Sequence, residues 1–170
     1  MYQAIDSVTN ELVAIKAQRI DRDDAAREIA TYETLRAFPH PNICRMVDRF
    51  VVSDAGRKEL RLVFDYHPSN IMKLALRTPE GRNGVVPRSM VVHYLGGIVD
   101  ALIHIHDTIG IAHGDLSLGN ILIGFDNTIK LGDFGTAHCA HTYICTEPMA
   151  TYYVRSPEQW AESPNCILFC

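Results

Sequence analysis

His113-Gly114-Asp115-Leu116-Ser117-Leu118-Gly119-Asn120 is followed further along the chain by Asp133-Phe134-Gly135. Between them, Ile121-Leu122-Ile123 reads as a short buried strand. Phe125-Asp126-Asn127 reads as a turn in which Asn127 tolerates unusual backbone angles. Thr128-Ile129-Lys130-Leu131 returns as a second strand. Such a hairpin carries Asn120 and Asp133 at neighbouring ends. Mg²⁺ prefers carboxylate, carbonyl oxygen and water, and is usually held by one or two carboxylates with substrate phosphates. Asp133 with Asn120 offers that donor set. Asp115 sits in a loop with glycine and polar neighbours and is left to accept a hydroxyl proton. Taken alone, His-Gly-Asp would serve equally as plain turn chemistry.

Upstream, Met1 to Asp6 alternates as a strand, Ser7 to Asn10 turns, and Glu11 to Ile20 forms the next strand. Lys16 follows the apolar Val13-Ala14-Ile15. An ammonium at the end of an apolar strand is costly without an anionic partner, although an edge strand would leave it in water. Asp23-Asp24 suit a helix N-terminus, and the helix runs on through Leu35. Ile29, Tyr32 and Leu35 fall near one face, and Glu28 can point to the same side. His40-Pro41-Asn42-Ile43 ends this region. Cys44 to Ser53 reads as a strand, Ala55 to Lys58 as a turn and Leu60 to Tyr66 as the next strand. Pro68 marks a boundary, and Asn70 to Leu76 forms a short helix. Ser89 is placed to cap a long helix to Ile109. Val91, Leu95, Ile98, Leu102 and Ile105 recur along it at helical spacing, which predicts burial. Gly96-Gly97 in its middle costs about 1 kcal/mol each relative to Ala, so close packing is the expected compensation. His93, His104 and His106 read as core or surface residues, not metal ligands.

The 170 residues are 47% hydrophobic and 21% charged, enough for a packed core and against disorder. A net charge of −4 implies neither a nucleic acid nor an anionic membrane as partner. No apolar run is long enough to span a bilayer. Five cysteines without paired Cys-x-x-Cys motifs fit a reducing compartment. That points to an intracellular setting, cytoplasmic or nuclear. His138, Cys139, His141 and Cys145 invite a zinc hypothesis, but paired ligands flanking a turn are lacking. A mobile loop is the better reading of that segment.

These motifs, in this order, resemble the catalytic core of the eukaryotic protein kinases, which carries H-R-D-L-K-x-x-N and D-F-G. Val13-Ala14-Ile15-Lys16 is similar to the family's V-A-I-K, His40-Pro41-Asn42-Ile43 to its H-P-N-I, and Thr151 to Glu158 to T-x-x-Y-R-A-P-E. Arg155 and the Arg27-Glu28-Ile29 helix resemble the cyclin-dependent and mitogen-activated group. The resemblance implies an α+β, two-lobed fold: a small β-rich lobe over 1–66 and a mainly helical lobe over 67–170. It implies transfer of the γ-phosphoryl of ATP to a protein Ser or Thr, with Mg²⁺ as cofactor and a preference for Pro after the target. Lys16 would hold phosphates and Glu28 would hold Lys16. Asp133 and Asn120 would take the metal, and Asp115 would orient the acceptor. Ala14, Lys16, Phe64, Asp65, His67, Leu122 and Asp133 would contact the nucleotide. Phe64 would be the gatekeeper, a role compatible with simple core packing. Thr151 and Arg155 would shape the acceptor pocket, and Thr146 would be the activation-loop site. A protein substrate and a cyclin-like activator are the implied partners.

The chain departs from the pattern at Gly114, in place of Arg, and Ser117, in place of Lys. Pro148 stands where a T-x-Y motif would have its Tyr. No G-x-G-x-x-G precedes Lys16, and few residues follow Glu158, so the family domain is expected to be truncated at both ends. Two rival readings stay open. One is a pseudokinase or scaffold, or an inactive fragment. The other is a small-molecule phosphotransferase of the aminoglycoside type, which also uses H-G-D.

Overall fold

The computed structural model describes residues 1–20, 23–54, 57–76, 87–139, 151, 152 and 155. Four strands, β1 (Tyr2–Ile5), β2 (Leu12–Arg19), β3 (Met46–Asp54) and β4 (Arg57–Asp65), form an antiparallel sheet in the order β1-β2-β4-β3. The β1–β2 turn is tied by Asp6, whose Oδ1 accepts from Val8 N–H at 2.8 Å and Thr9 N–H at 3.3 Å. Asn10 takes the left-handed conformation there at φ 59°, which Asn tolerates better than most residues. Of the predicted 55–58 turn, Arg57 and Lys58 belong to β4 instead, and residues 55 and 56 lie outside the described residues.

One helix, α1 (Asp23–Ala37), covers the sheet. Ala25, Glu28, Tyr32 and Leu35 are its buried positions, one stripe at helical spacing. They face Leu60, Leu62 and Phe64, which alternate along β4 and are all buried. Glu28, only 1% exposed, is therefore a carboxylate placed inside an apolar stripe. Such a group needs a partner.

The rest of the chain is built on short elements. A strand β5 (Ser69–Asn70) leads into α2 (Ile71–Leu76), so Asn70 lies in the strand and not in the helix. It still fixes the helix start, because its Oδ1 accepts from Lys73 N–H at 2.8 Å. A long helix, α3 (Arg88–Ile103), passes into a π-helical turn (His104–Ile109), then β6 (Ile111–Ala112). The predicted hairpin is present as β7 (Ile121–Ile123) and β8 (Ile129–Leu131), with Asn127 at φ 63° in its turn. A last strand, β9 (His138–Cys139), pairs with β6. The His40–Ile43 segment clamps the two halves: Leu131 N–H donates to Asn42 O and Cys44 N–H to Leu131 O, both at 2.8 Å.

The long helix departs from expectation in three ways. Ser89 does not cap it: Pro87 is the N-cap, with no side-chain cap bond. The α-helix ends at Ile103, and the remaining turn is π-helical up to Gly110 at φ 79°. Burial is one-sided: Tyr94, Ala101 and Ile105 are buried, whereas Val91 is 39% and Leu95 53% exposed. Periodicity reports a helical face, not which flank of it meets the core.

The glycine pair has two fates. A Cβ on Gly97 would lie 2.4 Å from Ile129 Cγ2 and 2.8 Å from Asn42 Nδ2, whereas one on Gly96 would meet nothing within 4 Å. Gly97 is thus the cost of seating α3 on the hairpin, and Asn42 Nδ2 binds Ile129 O at 3.0 Å in the same contact. Gly97→Ala is expected to lose about 1–3 kcal/mol through overpacking. Gly96→Ala is expected to gain up to about 1 kcal/mol from helix propensity. Urea midpoints of the two variants check this, and equal shifts would contradict it.

Candidate active site

Lys16 projects from the middle of β2, where it sits opposite Leu62 of β4. Its Nζ lies 2.8 Å from Glu28 Oε1 and 2.8 Å from Asp133 Oδ1. The strand, the helix and the loop after β8 thus converge on one ammonium. Burial alone would lower the Lys16 pKa, but the charges and hydrogen bonds of Asp133 and Glu28 outweigh it and raise the value above the ordinary 10.5. Asp133 reaches Lys16 from a left-handed backbone at φ 58°. That conformation costs a non-glycine residue about 1–3 kcal/mol and is kept only where surrounding structure enforces it. The enforcement is the next residue: Phe134 is fully buried, with its N–H donating to Tyr32 Oη at 3.3 Å. Its ring packs edge-on against Tyr32 at 5.6 Å and against His113 at 4.7 Å.

The 113–120 loop is fixed from within. His113 is fully buried, its Nε2 lies 3.0 Å from Gly132 O, and its Nδ1 accepts from Asp115 N–H at 3.2 Å. That pattern fits a neutral ring protonated on Nε2, and burial pushes its pKa down in agreement. Asn120 Nδ2 donates to Asp115 O at 2.9 Å and to Asp115 Oδ2 at 3.0 Å. Asp115 Oδ1 accepts from both Thr151 N–H and Thr151 Oγ1–H at 2.7 Å. Gly114 has φ 80°, and a Cβ there would fall 2.6 Å from Thr136 O. Ser117 is buried at 8% exposure, so its hydroxyl does not substitute for a long cation. The hairpin ends meet as expected: Gly132 N–H donates to Asn120 O at 2.9 Å.

A cleft of about 340 Å³ opens between these elements, a size within the range of small-molecule sites. Ala14, Lys16, Phe64, Asp65, His67, Leu122 and Asp133 all line it, as does Asn120. Asp133 and Asn120 are hard oxygen donors at one cleft, which fits Mg²⁺ bound jointly with phosphates. With Asn120 Nδ2 turned to Asp115, the amide oxygen remains as the atom a cation takes. Among the described residues no group of three or more His, Cys, Asp or Glu could hold a metal by itself. His138 and Cys139 are in β9, and His141 and Cys145 lie outside the described residues.

A sequence profile for the protein kinase domain matches residues 1–165. The chain belongs to the protein kinase family. It is 32% identical over 168 residues to cell division control protein 2 homolog 3 of Trypanosoma brucei brucei, covering 93% of this chain and 50% of that protein. It is 30% identical to mouse (Mus musculus) cyclin-dependent kinase 4, covering 96% of this chain and 56% of the relative. The mitogen-activated protein kinase sma-5 of Caenorhabditis elegans is 28% identical, with 92% and 32% covered. The chain spans about half the length of the first two relatives and a third of the last.

Within this kinase fold, the cleft holds residues that the motifs did not single out. Tyr32 lines its inner wall and links α1 to Phe134. Its only sequence signal was a place on the α1 stripe. Cys44 lines the cleft too, with burial pushing its thiol up to about 12, so it stays an unreactive thiol at neutral pH. Asn70 and Lys73 also line the cleft, and nothing in their sequence context marks them. The Thr151 hydroxyl donates to Asp115 Oδ1. The Arg155 guanidinium lies 5.6 Å from the centre of the Tyr152 ring, within cation–π range. Thr146, Pro148 and Glu158 lie outside the described residues. No helix among the described residues is long and apolar enough to cross a membrane.

Proposed function

We propose that this chain carries the catalytic centre of an ATP-dependent protein serine/threonine kinase. The observation that carries the reading is the ammonium of Lys16, bridging Glu28 and Asp133 at 2.8 Å each inside the cleft. Phosphoryl transfer needs little covalent chemistry from the protein; positioning and charge stabilisation do most of it. In this reading Glu28 orients Lys16, and Lys16 exchanges Asp133 for the nucleotide phosphates. Asp133 and Asn120 hold Mg²⁺, which when bound neutralises charge on the phosphate oxygens. Asp115 accepts a hydrogen bond from the substrate hydroxyl, a role supported by its Oδ1 already accepting one from the Thr151 hydroxyl. Ala14, Phe64, Asp65, His67 and Leu122 surround the base. Thr151 and Arg155 shape the acceptor pocket, and the cyclin-dependent and mitogen-activated relatives support a preference for Pro after the target. They also support a cyclin-like activator as partner and an intracellular, cytoplasmic or nuclear, setting. Residues 1–66 and 67–170 act as the two lobes.

A second reading, a pseudokinase that binds nucleotide without turnover, draws on Gly114 and buried Ser117, which leave the loop without two cations that the family pattern has there. A phosphotransfer assay on a protein substrate separates the two. The metal assignment is checked by binding: Mg²⁺ should raise ATP affinity in the wild type, and Asp133→Ala should remove that dependence. ATP affinity indifferent to Mg²⁺ in both proteins would refute the Asp133–Asn120 site. Regulation by Thr146 phosphate is expected to be weak, because Gly114 offers it no guanidinium.

A further inference from the structure

We propose that Lys73 is a phosphate-binding residue of the cleft, supplying from α2 a cation that the 113–120 loop lacks at Ser117. This rests on the nucleotide reading of the cleft given above.

The charged groups at the cleft have different amounts of spare charge. Lys16 is matched by two carboxylates, so Lys16, Glu28 and Asp133 together are net negative. Asp65 is engaged by Arg45, through Nε at 3.1 Å and Nη2 at 3.0 Å. Lys73 lines the same cleft and has no ion-pair partner among the described residues. A nucleoside triphosphate brings more negative charge than one Mg²⁺ at this net negative cluster would offset, so a further cation is favoured. Lys73 is a side-chain ammonium at the cleft that no carboxylate among the described residues matches.

Its position is built, not incidental. Asn70 Oδ1 accepts from Lys73 N–H at 2.8 Å, and Asn70 Nδ2 donates to Gly119 O at 3.1 Å. Met72 N–H donates to Leu118 O at 3.1 Å, and β5 pairs with β7 through Asn70 and Leu122. The start of α2 is thereby fastened to the loop that ends in Asn120. Ser117 is buried on that loop, and the cation that these two fastened segments offer to the cleft is Lys73. The fastening uses Lys73 only through its backbone, so exchanging its side chain leaves the anchoring intact.

The test measures binding of Mg-ATP and of adenosine to the full chain by calorimetry, for wild type, Lys73→Gln and Lys73→Arg. Lys73→Gln should weaken Mg-ATP about fivefold, as for a solvent-exposed charge-assisted contact, and leave adenosine and the thermal midpoint unchanged. Lys73→Arg should keep most of the Mg-ATP affinity. Wild type that binds Mg-ATP while Lys73→Gln binds it equally well overturns the inference alone. Equal losses for ATP and adenosine assign Lys73 to the nucleoside and overturn it too. Wild type that binds neither ligand overturns the nucleotide reading and this inference with it.

Discussion

Lys16→Met is expected to lower folding stability by about 2–4 kcal/mol, because it strands the Glu28 carboxylate in the core without its cation. Glu28 is 1% exposed, on the same stripe as Tyr32 and Leu35, so water cannot take the place of the ammonium. The larger part of the loss is this uncompensated charge, not the attraction itself. The double variant Lys16→Met/Glu28→Met should therefore recover most of the stability, since replacing both members of a buried pair with apolar groups is often nearly neutral. Phosphoryl transfer should stay lost in both, by about 10²–10³-fold, the scale of removing one preorganised charge contact. Urea unfolding of these two variants, wild type and Glu28→Met completes the cycle. Recovery of activity in the double variant would remove Lys16 from the mechanism. The pH dependence has a definite sign. The folded pKa of Lys16 lies above its ordinary 10.5. Its contribution is complete below that value and fades as pH rises through the folded pKa. Wild type should lose stability relative to the double variant in strong alkali, where Lys16 discharges and leaves Glu28 uncompensated, and the difference between them should stay constant through neutral pH.

Asp115→Asn should reduce phosphoryl transfer by about 10²–10⁴-fold while leaving nucleotide affinity unchanged, the signature of a group that meets only the acceptor. The substitution keeps shape but replaces one acceptor oxygen with a donor. Asp115 Oδ1 accepts twice from Thr151, and Oδ2 accepts from Asn120. One of these donors must then face another donor, at a cost of about 1–3 kcal/mol for the unsatisfied group. A modest fall in thermal midpoint should accompany the kinetic loss. Single-turnover rates and equilibrium nucleotide binding, measured on the same preparation, decide the matter. Unchanged turnover would exclude Asp115 as the acceptor-facing group.

Much of this arrangement could be read from the residues because it is local. Asn127 at a two-strand turn places Asn120 and Asp133 together whatever surrounds them, and β7 and β8 pair in that register. The Lys16–Glu28 pair was legible only through the family resemblance, because residue spacing alone allowed Glu28 to lie on a solvated face. What stayed hidden depends on the neighbours of an element. α3 has enough apolar residues to fill more than one face, and its packing against β8 and the rest of the core buries Tyr94 and Ala101 while leaving Val91 and Leu95 exposed. The π turn at His104–Ile109 leaves no mark in a pattern of apolar spacing. Tyr32 and Lys73 enter the cleft through tertiary placement, so no motif announces them.

Gly114 has a consequence for how the chain can change. Its left-handed backbone and the Thr136 carbonyl 2.6 Å from where a Cβ would stand make the position intolerant of any side chain. An arginine there would have to displace the backbone that follows Phe134, the same segment whose Thr136 hydroxyl is hydrogen-bonded to His113 O at 3.1 Å. The family's arginine cannot be regained by a single substitution without disturbing the Asp133–Phe134 turn. The glycine acts as a ratchet: with the loop settled around it, a long side chain is excluded by the neighbours that pack against its bare Cα.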